Sequence, residues 1–347
     1  MSIEIPDLLG LFPDELEALL AEMGQPAYRA KQIFSWIHQK NASSFDEMTN
    51  LPVPLRAALA GSCKIGGVNM QKRLVSSIDG TVKYLYGLSG GDLVEGVRMG
   101  YRHGNSLCIS SQAGCRMGCK FCASTLDGLS RNLTPGEMLG QVYAAARDAA
   151  PEKIGSVVMM GVGEPLDNFE NVCRFLELVS RPQGFGLSLR RVSLSTCGLV
   201  DEIYRLAEKK YPITLSVSLH AAENDLRSEL MPVNRKHDIA ALLTACRDYF
   251  LATGRRVSFE YSLMQGKNDR PEDAKKLAAL LKGRGSHVNL IPHNQVRERE
   301  LRRPNREAVR AFQRELESRG ITATIRRELG ADLDAACGQL RRIESLN

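Results

Sequence analysis

The sequence predicts an α/β fold: a mostly parallel sheet curled into an open barrel, preceded by a small helical unit and a β-meander. Three observations predict it. From residue 106 onward, strand-like and helix-like segments alternate, the pattern of βαβ units. Several of those strands carry one polar face, whereas a packed barrel fills its interior with Val, Ile and Leu. Upstream, the hydrophobic period is helical over residues 1–60 and strand-like over 66–100.

The N-terminal unit begins with Leu16, Leu19, Leu20 and Met23 at helical spacing. A second helix is expected over Tyr28 to Gln39, and Ser44-Phe45-Asp46-Glu47 reads as a capping box that opens a third. The charge here is uneven. Residues 1–22 carry six acids (Glu4, Asp7, Asp14, Glu15, Glu17, Glu22) and no Lys or Arg, and 23–90 carry eight basic residues against three acids. The meander is expected as strands around Val68–Ser77, Val82–Leu88 and Leu93–Met99, turned at Asp79-Gly80 and Gly90-Gly91, with Glu95 on the last strand.

In the alternating part, strand cores are expected near 107–111, 154–160, 190–196, 213–219, 256–263, 287–291 and 321–326. Helices are expected near 134–149, 168–180, 200–210, 238–253, 271–283 and 304–318. Thr134-Pro135-Gly136-Glu137 is a strong helix start, with a capping box and Pro at the first helical position. Thr214, Ser216, Ser218 and His220 oppose Ile213, Leu215, Val217 and Leu219. Ser193 and Ser195, then Ser258, Glu260 and Ser262, then Cys108 and Ser110 repeat the pattern. A polar face on four strands implies a lumen that holds a polar ligand. The expected units are a helical accessory domain at 1–65, the meander at 66–100 and the barrel core at 101–347.

Composition sets the outer bounds. Lys and Arg number 46 against 40 Asp and Glu, a net charge of +6, with 43% hydrophobic residues and nine cysteines. This is globular composition, not disordered, collagenous or coiled-coil. No apolar run approaches a membrane span, and the first twelve residues lack the basic segment of a secretory signal. An odd cysteine count without an export signal favours reactive or metal-bound thiols over a disulfide framework. The charge permits an acidic partner such as RNA but does not require one. Residues 297–342 carry 12 Arg against eight acids, equally consistent with an RNA-facing patch and a solvated helix face.

The sharpest feature is Cys115-Arg116-Met117-Gly118-Cys119-Lys120-Phe121-Cys122, directly after the first barrel strand. Three thiolates within eight residues can wrap one metal centre, and Arg116 and Lys120 are expected to lower the thiol pKa values. A structural zinc site needs four ligands, so zinc would have to recruit Cys108. A [4Fe–4S] cube held by three cysteines leaves one iron open to a substrate. Gly161-Val162-Gly163-Glu164-Pro165 follows the second barrel strand, where its glycines permit close approach and Glu164 can take an ammonium. Cys337, far along the chain, leaves the same barrel end as the triplet. With Cys108 on a polar strand face, it is a candidate thiol pair for nucleophilic or disulfide chemistry.

C-x3-C-x2-C with an aromatic before its last cysteine resembles the radical S-adenosylmethionine (radical SAM) superfamily. The wider set resembles its RlmN/Cfr family of RNA adenosine methyltransferases. The matching pieces include Leu107-Cys108-Ile109-Ser110-Ser111-Gln112, GVGEP, Leu194-Ser195-Thr196, Ser218-Leu219-His220, Met231-Pro232-Val233-Asn234, Asn289-Leu290-Ile291-Pro292 and Asp334-Ala335-Ala336-Cys337-Gly338-Gln339-Leu340. The resemblance covers about residues 15–342 and implies a partial, open (β/α)6-type barrel. It implies a [4Fe–4S] cluster on Cys115, Cys119 and Cys122, and SAM bound by Gly163, Glu164, Ser195, Ser218, Leu219, His220 and Asn294.

The resemblance further implies that Cys337 is methylated by one SAM and that a radical from a second SAM takes a hydrogen atom from that methyl group. The carbon then adds to an adenine, and a Cys337–Cys108 disulfide releases the product with Glu95 as general base. Pro165 matches the branch that methylates C2 of adenosine 2503 in 23S rRNA and, in some members, of adenosine 37 in tRNA; the other branch methylates C8. The implied partners are 23S rRNA, tRNA and an electron donor such as flavodoxin or ferredoxin; no segment advertises a subunit interface or a membrane contact, so a cytoplasmic monomer is expected. The N-terminal unit would dock RNA. Two rival readings stand beside this one: a zinc-dependent RNA-binding protein without catalysis, and a radical SAM enzyme acting on a small molecule. Cys63, Cys173, Cys197 and Cys246 read as buried small hydrophobes.

Overall fold

The computed structural model describes residues 5–102 and 104–343; Glu4 of the acidic N-terminal count lies outside them. The first helices are α1 (Pro13–Glu22), α2 (Tyr28–His38) and α3 (Val53–Ser62). The capping box at Ser44 forms, with Glu47 accepting from the Ser44 N–H at 2.9 Å, but it opens only one 3-10 turn over Phe45–Glu47. The reason lies downstream. Pro52 has no N–H to donate into a helix and sits at ψ 141°, outside helical conformation, so the helix starts afresh at Val53.

The meander forms as β1 (Val68–Val75), β2 (Val82–Leu88) and β3 (Leu93–Tyr101), all antiparallel neighbours. It is not a separate sheet. β3 pairs antiparallel with β4 (Gly104–Cys108), whose strand begins earlier than expected and puts Cys108 opposite Val97. The chain then makes a short hairpin, β5 (Gln112–Gly114) with β6 (Leu129–Asn132), that no hydrophobic period announced.

Next come α4 (Pro135–Ala149), β7 (Ile154–Met159), α5 (Phe169–Ser180), β8 (Val192–Thr196), α6 (Val200–Lys209) and β9 (Thr214–Ser218). They are followed by α7 (Asn224–Leu230), α8 (Ile239–Thr253), β10 (Val257–Leu263), α9 (Pro271–Leu281), β11 (His287–Pro292), α10 (Arg306–Ser318), β12 (Thr322–Ile325) and β13 (Arg342–Ile343). The Thr134 start holds as expected: Thr134 Oγ1 accepts from the Glu137 N–H at 3.2 Å, and Glu137 reaches back to the Thr134 N–H at 3.0 Å.

The strands run β1-β2-β3-β4-β7-β8-β9-β10-β11-β12, with β13 on β3. Every pair from β4 to β12 is parallel. Among the described residues β12 pairs with β11 alone, so the barrel stays open. Register turns the polar faces into rungs across the lumen. Ser195, Ser216, Ser258, His287 and Thr322 align strand to strand, as do Ser218, Glu260, Asn289 and Thr324. The alternate residues, such as Leu194, Leu215, Val217, Phe259 and Leu290, are buried in the main apolar core.

That core continues into the N-terminal helices through Leu16, Leu20, Ile33, Phe34 and Ile37. Buried His38 joins them to α4 through Nδ1 and the Tyr143 hydroxyl at 3.0 Å. In the tail, Arg306, Arg310 and Arg314 are exposed on α10 and form no ion pair among the described residues, whereas Arg319 pairs with Glu315 at 2.7 Å.

Candidate active site

The cysteine loop is fixed at its base by the β5–β6 hairpin, where the Cys115 N–H donates to the Gly128 carbonyl at 2.8 Å. Gly114 has φ +82°, and a Cβ there would lie 2.0 Å from that carbonyl oxygen, so only glycine fits. At its far end, the Lys120 N–H donates to the Leu230 carbonyl of α7 at 2.9 Å. The loop therefore hangs over the C-terminal mouth of the barrel. Cys115, Cys119 and Cys122 line one cavity there with Gly163, Glu164, Ser195, Ser218, His220 and Cys337.

The expected electrostatics of the triplet is corrected. Burial pushes the Cys115 thiol up to about 12 and raises Cys119 and Cys122 as well. Arg116 cannot offset this, because its guanidinium is exposed and paired with Asp167; Lys120 is exposed too. The thiols become thiolates when a metal replaces their protons. The donor set fits an iron–sulfur cluster: three soft sulfurs from one loop line a cavity with open space beside them. Among the described residues, no three His, Cys, Asp or Glu side chains are gathered closely enough for a single metal ion. A cluster binds each thiolate at a different iron and needs no such convergence.

The opposite wall fits a zwitterionic ligand. Gly163 has φ +105°, and a Cβ would come within 2.6 Å of the Gln112 Cβ, so only glycine lets this turn pack against β5 at the cavity wall. The buried Glu164 carboxylate accepts from the Cys197 N–H at 2.7 Å and the Leu166 N–H at 3.1 Å; burial raises its pKa, and these N–H groups oppose the rise. His220 Nδ1 accepts from the Ser262 N–H at 2.9 Å, which puts the ring proton on Nε2. Burial holds its pKa at about 3, so the ring is neutral, and Phe121 packs edge-on to it at 4.7 Å.

Two residues expected to bind SAM, Leu219 and Asn294, do not line this cavity themselves. Leu219 is buried off the cavity, with its carbonyl accepting from Arg227 Nε at 3.2 Å. Asn294 Nδ2 donates to the Cys337 carbonyl at 3.0 Å and lines the adjoining pocket instead. That pocket contains both Cys108 and Cys337, with Val97 and Met99 of β3. Burial first, and Cys337 second, push the Cys108 thiol up to about 12, while Arg326 opposes. Glu95 shares the β3 face of Val97 and Met99 but lines neither cavity. Its carboxylate is buried against Lys83 at 2.6 Å and accepts from the Arg341 N–H at 2.9 Å.

The Cys337 loop is laced in place from two sides. Ala123 N–H donates to the Gly338 carbonyl at 2.7 Å, and Ser124 Oγ to the Leu340 carbonyl at 2.7 Å, both from the cysteine loop. From the meander, Lys83 Nζ donates to the carbonyls of Leu333 and Asp334 at 3.1 Å each. Sequence reasoning missed Arg326 as a site residue. It lies 3.7 Å from Glu260 in the lumen and lines both cavities with Cys337. Cys197, read as a core thiol, is buried yet also lines the triplet's cavity.

Comparison with known proteins agrees with this arrangement. Residues 6–65 match the model of the ribosomal RNA large subunit methyltransferase N-terminal domain, and 109–278 match the radical SAM superfamily. The chain is 49% identical over 336 residues to the "Probable dual-specificity RNA methyltransferase RlmN" of Alkaliphilus oremlandii, covering 97% of each. It is 53% identical over 328 residues to the protein of that name from Pelotomaculum thermopropionicum, covering 94% of this chain and 89% of that one. The crystal structure of a radical SAM methyltransferase from Sphaerobacter thermophilus superposes with a TM-score of 0.94 at 44% identity, covering 96% of this chain and 99% of that one. The chain therefore belongs to the RlmN family of radical SAM RNA methyltransferases, enzymes of a [4Fe–4S] cluster and SAM.

Proposed function

We propose that the enzyme methylates C2 of adenosine 2503 in 23S rRNA, and C2 of adenosine 37 in tRNA, through a methyl group carried on Cys337. The observation that carries this reading is the position of Cys337: it lines the cavity of the cysteine triplet and also the pocket of Cys108. When bound, the cluster and SAM supply a methyl cation equivalent and a carbon-centred radical. Cys115, Cys119 and Cys122 hold the cluster, and Glu164 takes the SAM ammonium, its two accepted N–H bonds leaving lone pairs free. Gly163, Ser195, Ser218 and His220 complete that wall, and Leu219 and Asn294 complete the SAM-binding set.

Ordinary methyl transfer cannot reach C2, an sp2 carbon without a nucleophilic lone pair. The Cys337 sulfur therefore takes the methyl group first, losing its thiol proton. After loss of a hydrogen atom, that carbon bonds to C2. Glu95 takes the proton from C2 once RNA entry separates it from Lys83, and the unpaired electron of the adduct leaves by the one-electron path that supplied the first; the Cys108 thiolate then bonds to the Cys337 sulfur as the sulfur–carbon bond breaks, and a proton completes the methyl group on the base. Arg326 offers both sulfurs a positive charge and opposes the burial that disfavours the Cys108 thiolate.

The helical unit at 1–65 is the RNA-docking domain, 66–100 the extension that carries Glu95, and 101–347 the catalytic core. Lys40 lies 3.5 Å over the Trp36 ring and Arg29 4.9 Å over the Tyr28 ring, giving α2 and the residues just after it the cations and aromatics that suit RNA. A low-potential donor such as flavodoxin or ferredoxin supplies the electron to a monomer. The thiol chemistry needs a reducing cytoplasm. Among the described residues no helix is long and apolar enough to cross a membrane. Pro165 favours C2 over C8. Nucleoside mass spectrometry of rRNA and tRNA treated with the reconstituted enzyme tests the regiochemistry: 2-methyladenosine supports it, and 8-methyladenosine refutes it.

A further inference from the structure

Helix α7, seven residues that the sequence did not predict, carries Arg227, whose side chain is 0% exposed. All four of its hydrogen bonds go to neutral acceptors. Nε donates to the Leu219 carbonyl at 3.2 Å and Nη1 to Asn234 Oδ1 at 2.9 Å. Nη2 donates to the carbonyls of Cys197 at 2.7 Å and Ser218 at 3.0 Å. Among the described residues it forms no ion pair with a carboxylate. A buried cation left without a counter-charge costs several kcal/mol, so natural proteins seldom retain one.

Two placements connect this cation to the cysteine loop. Leu230, the last residue of α7, holds the Lys120 N–H, inside the triplet itself. Cys119 and Cys197 also share a small buried cluster with Leu230 and Met231. The acidic groups facing Arg227 are thiols: Cys197, Cys119 and Cys246. A cube of charge 2+ on three thiolates has net charge 1−, and one added electron makes it 2−.

We propose that Arg227 is the buried counter-charge of the iron–sulfur cluster, a positioning residue that fixes the ends of β8 and β9 and favours the one-electron-reduced cluster. This rests on the reading that Cys115, Cys119 and Cys122 hold the cluster. The electron comes from an external low-potential donor, and Arg227 changes only how readily the cluster accepts it. The same guanidinium ties the Cys197 and Ser218 carbonyls beside the ligand wall, so site geometry and cluster charge share one residue.

The test compares wild type, R227K and R227Q after anaerobic reconstitution. Iron and sulfide are counted first, and the reduced cluster is then titrated by EPR against solution potential. R227Q is expected to retain its iron but to show an about tenfold lower ratio of reduced to oxidised cluster at fixed potential, about 59 mV for one electron. R227K keeps the charge and is expected to stay within threefold of wild type. R227Q loaded and unshifted overturns the proposal, since a purely structural residue would not move the potential. If R227Q takes up no iron, R227K decides alone, and a tenfold shift there overturns it. A Cys119→Ala protein that still binds a full cluster overturns the triplet reading instead, visible at the iron count.

Discussion

Lys83 Nζ sits 2.6 Å from Glu95 Oε1, a half-buried ammonium against a buried carboxylate between the meander and the Cys337 loop. The same ammonium holds the carbonyls of Leu333 and Asp334, so one lysine joins the proposed base to the loop of the proposed methyl carrier.

Lys83→Met is therefore expected to be costly in two ways. It strands a buried carboxylate, which costs about 3–5 kcal/mol, and it frees the Cys337 loop. Urea unfolding should show the loss, and methylation should fall with it. The double variant Lys83→Met, Glu95→Gln removes the stranded charge and should recover at least half of the stability but none of the activity. Equal unfolding of the single and double variants would separate Lys83 from Glu95.

Cys108→Ala should stop the reaction after the carbon is joined to RNA. Without its sulfur the Cys337 link has no resolving partner, although the two residues share one pocket. A covalent protein–RNA adduct on a denaturing gel is the expected result. Free methylated RNA at the wild-type rate would contradict the resolving role.

Glu164→Gln should retain iron and sulfide but bind SAM at least tenfold more weakly by equilibrium dialysis. The amide keeps the shape but loses the charge that meets the ammonium, and it can no longer accept at both oxygens from Cys197 and Leu166. Unchanged SAM affinity would reassign this buried acid to loop structure alone.

Acid should destabilise the fold through His38, far from the cluster. Burial lowers its pKa from 6.5 to about 3, so the folded state keeps the ring neutral while the unfolded chain binds a proton. Its contribution is complete above pH 6.5 and is lost as pH falls from there toward 3, by up to about 1.36 kcal/mol per unit. His38→Gln should unfold more easily at pH 7 yet show a pH slope between 6 and 4 that is shallower by about one proton. An identical slope would place the linkage elsewhere.

The parallel core was legible because its signals are periodic. Strands such as β9 and β10 alternate Ser against Leu, Val or Phe, and the structure turns that alternation into the lumen rungs. Helix α4 announced itself through Thr134 and Glu137. Features set by tertiary context were not legible. The β5–β6 hairpin is too short for a period, and α7 spans seven residues with Leu226 and Leu230 as its only large apolar pair. The third helix failed to start at Ser44 because Pro52 outweighs a local cap. The triplet, GVGEP and Cys337 were read as site residues because their spacing is unusual. Arg326 and Arg227 act through partners distant in sequence, and spacing carries no trace of them. The thiol pKa values came out opposite to expectation, because burial depth cannot be read from neighbouring charges along a chain.

The carrier role of Cys337 is the centre of the mechanism, and it leaves a mark that needs no RNA. Protein purified from cells grown with SAM supply intact should yield a peptide containing Cys337 that is heavier by one methyl group, 14 Da by mass spectrometry, as roughly expected for CH2 added to the thiol. The mark should disappear in Cys119→Ala if loading requires the assembled site. A wild-type peptide without the mark, from protein that still methylates adenosine, would contradict methyl transfer through this cysteine.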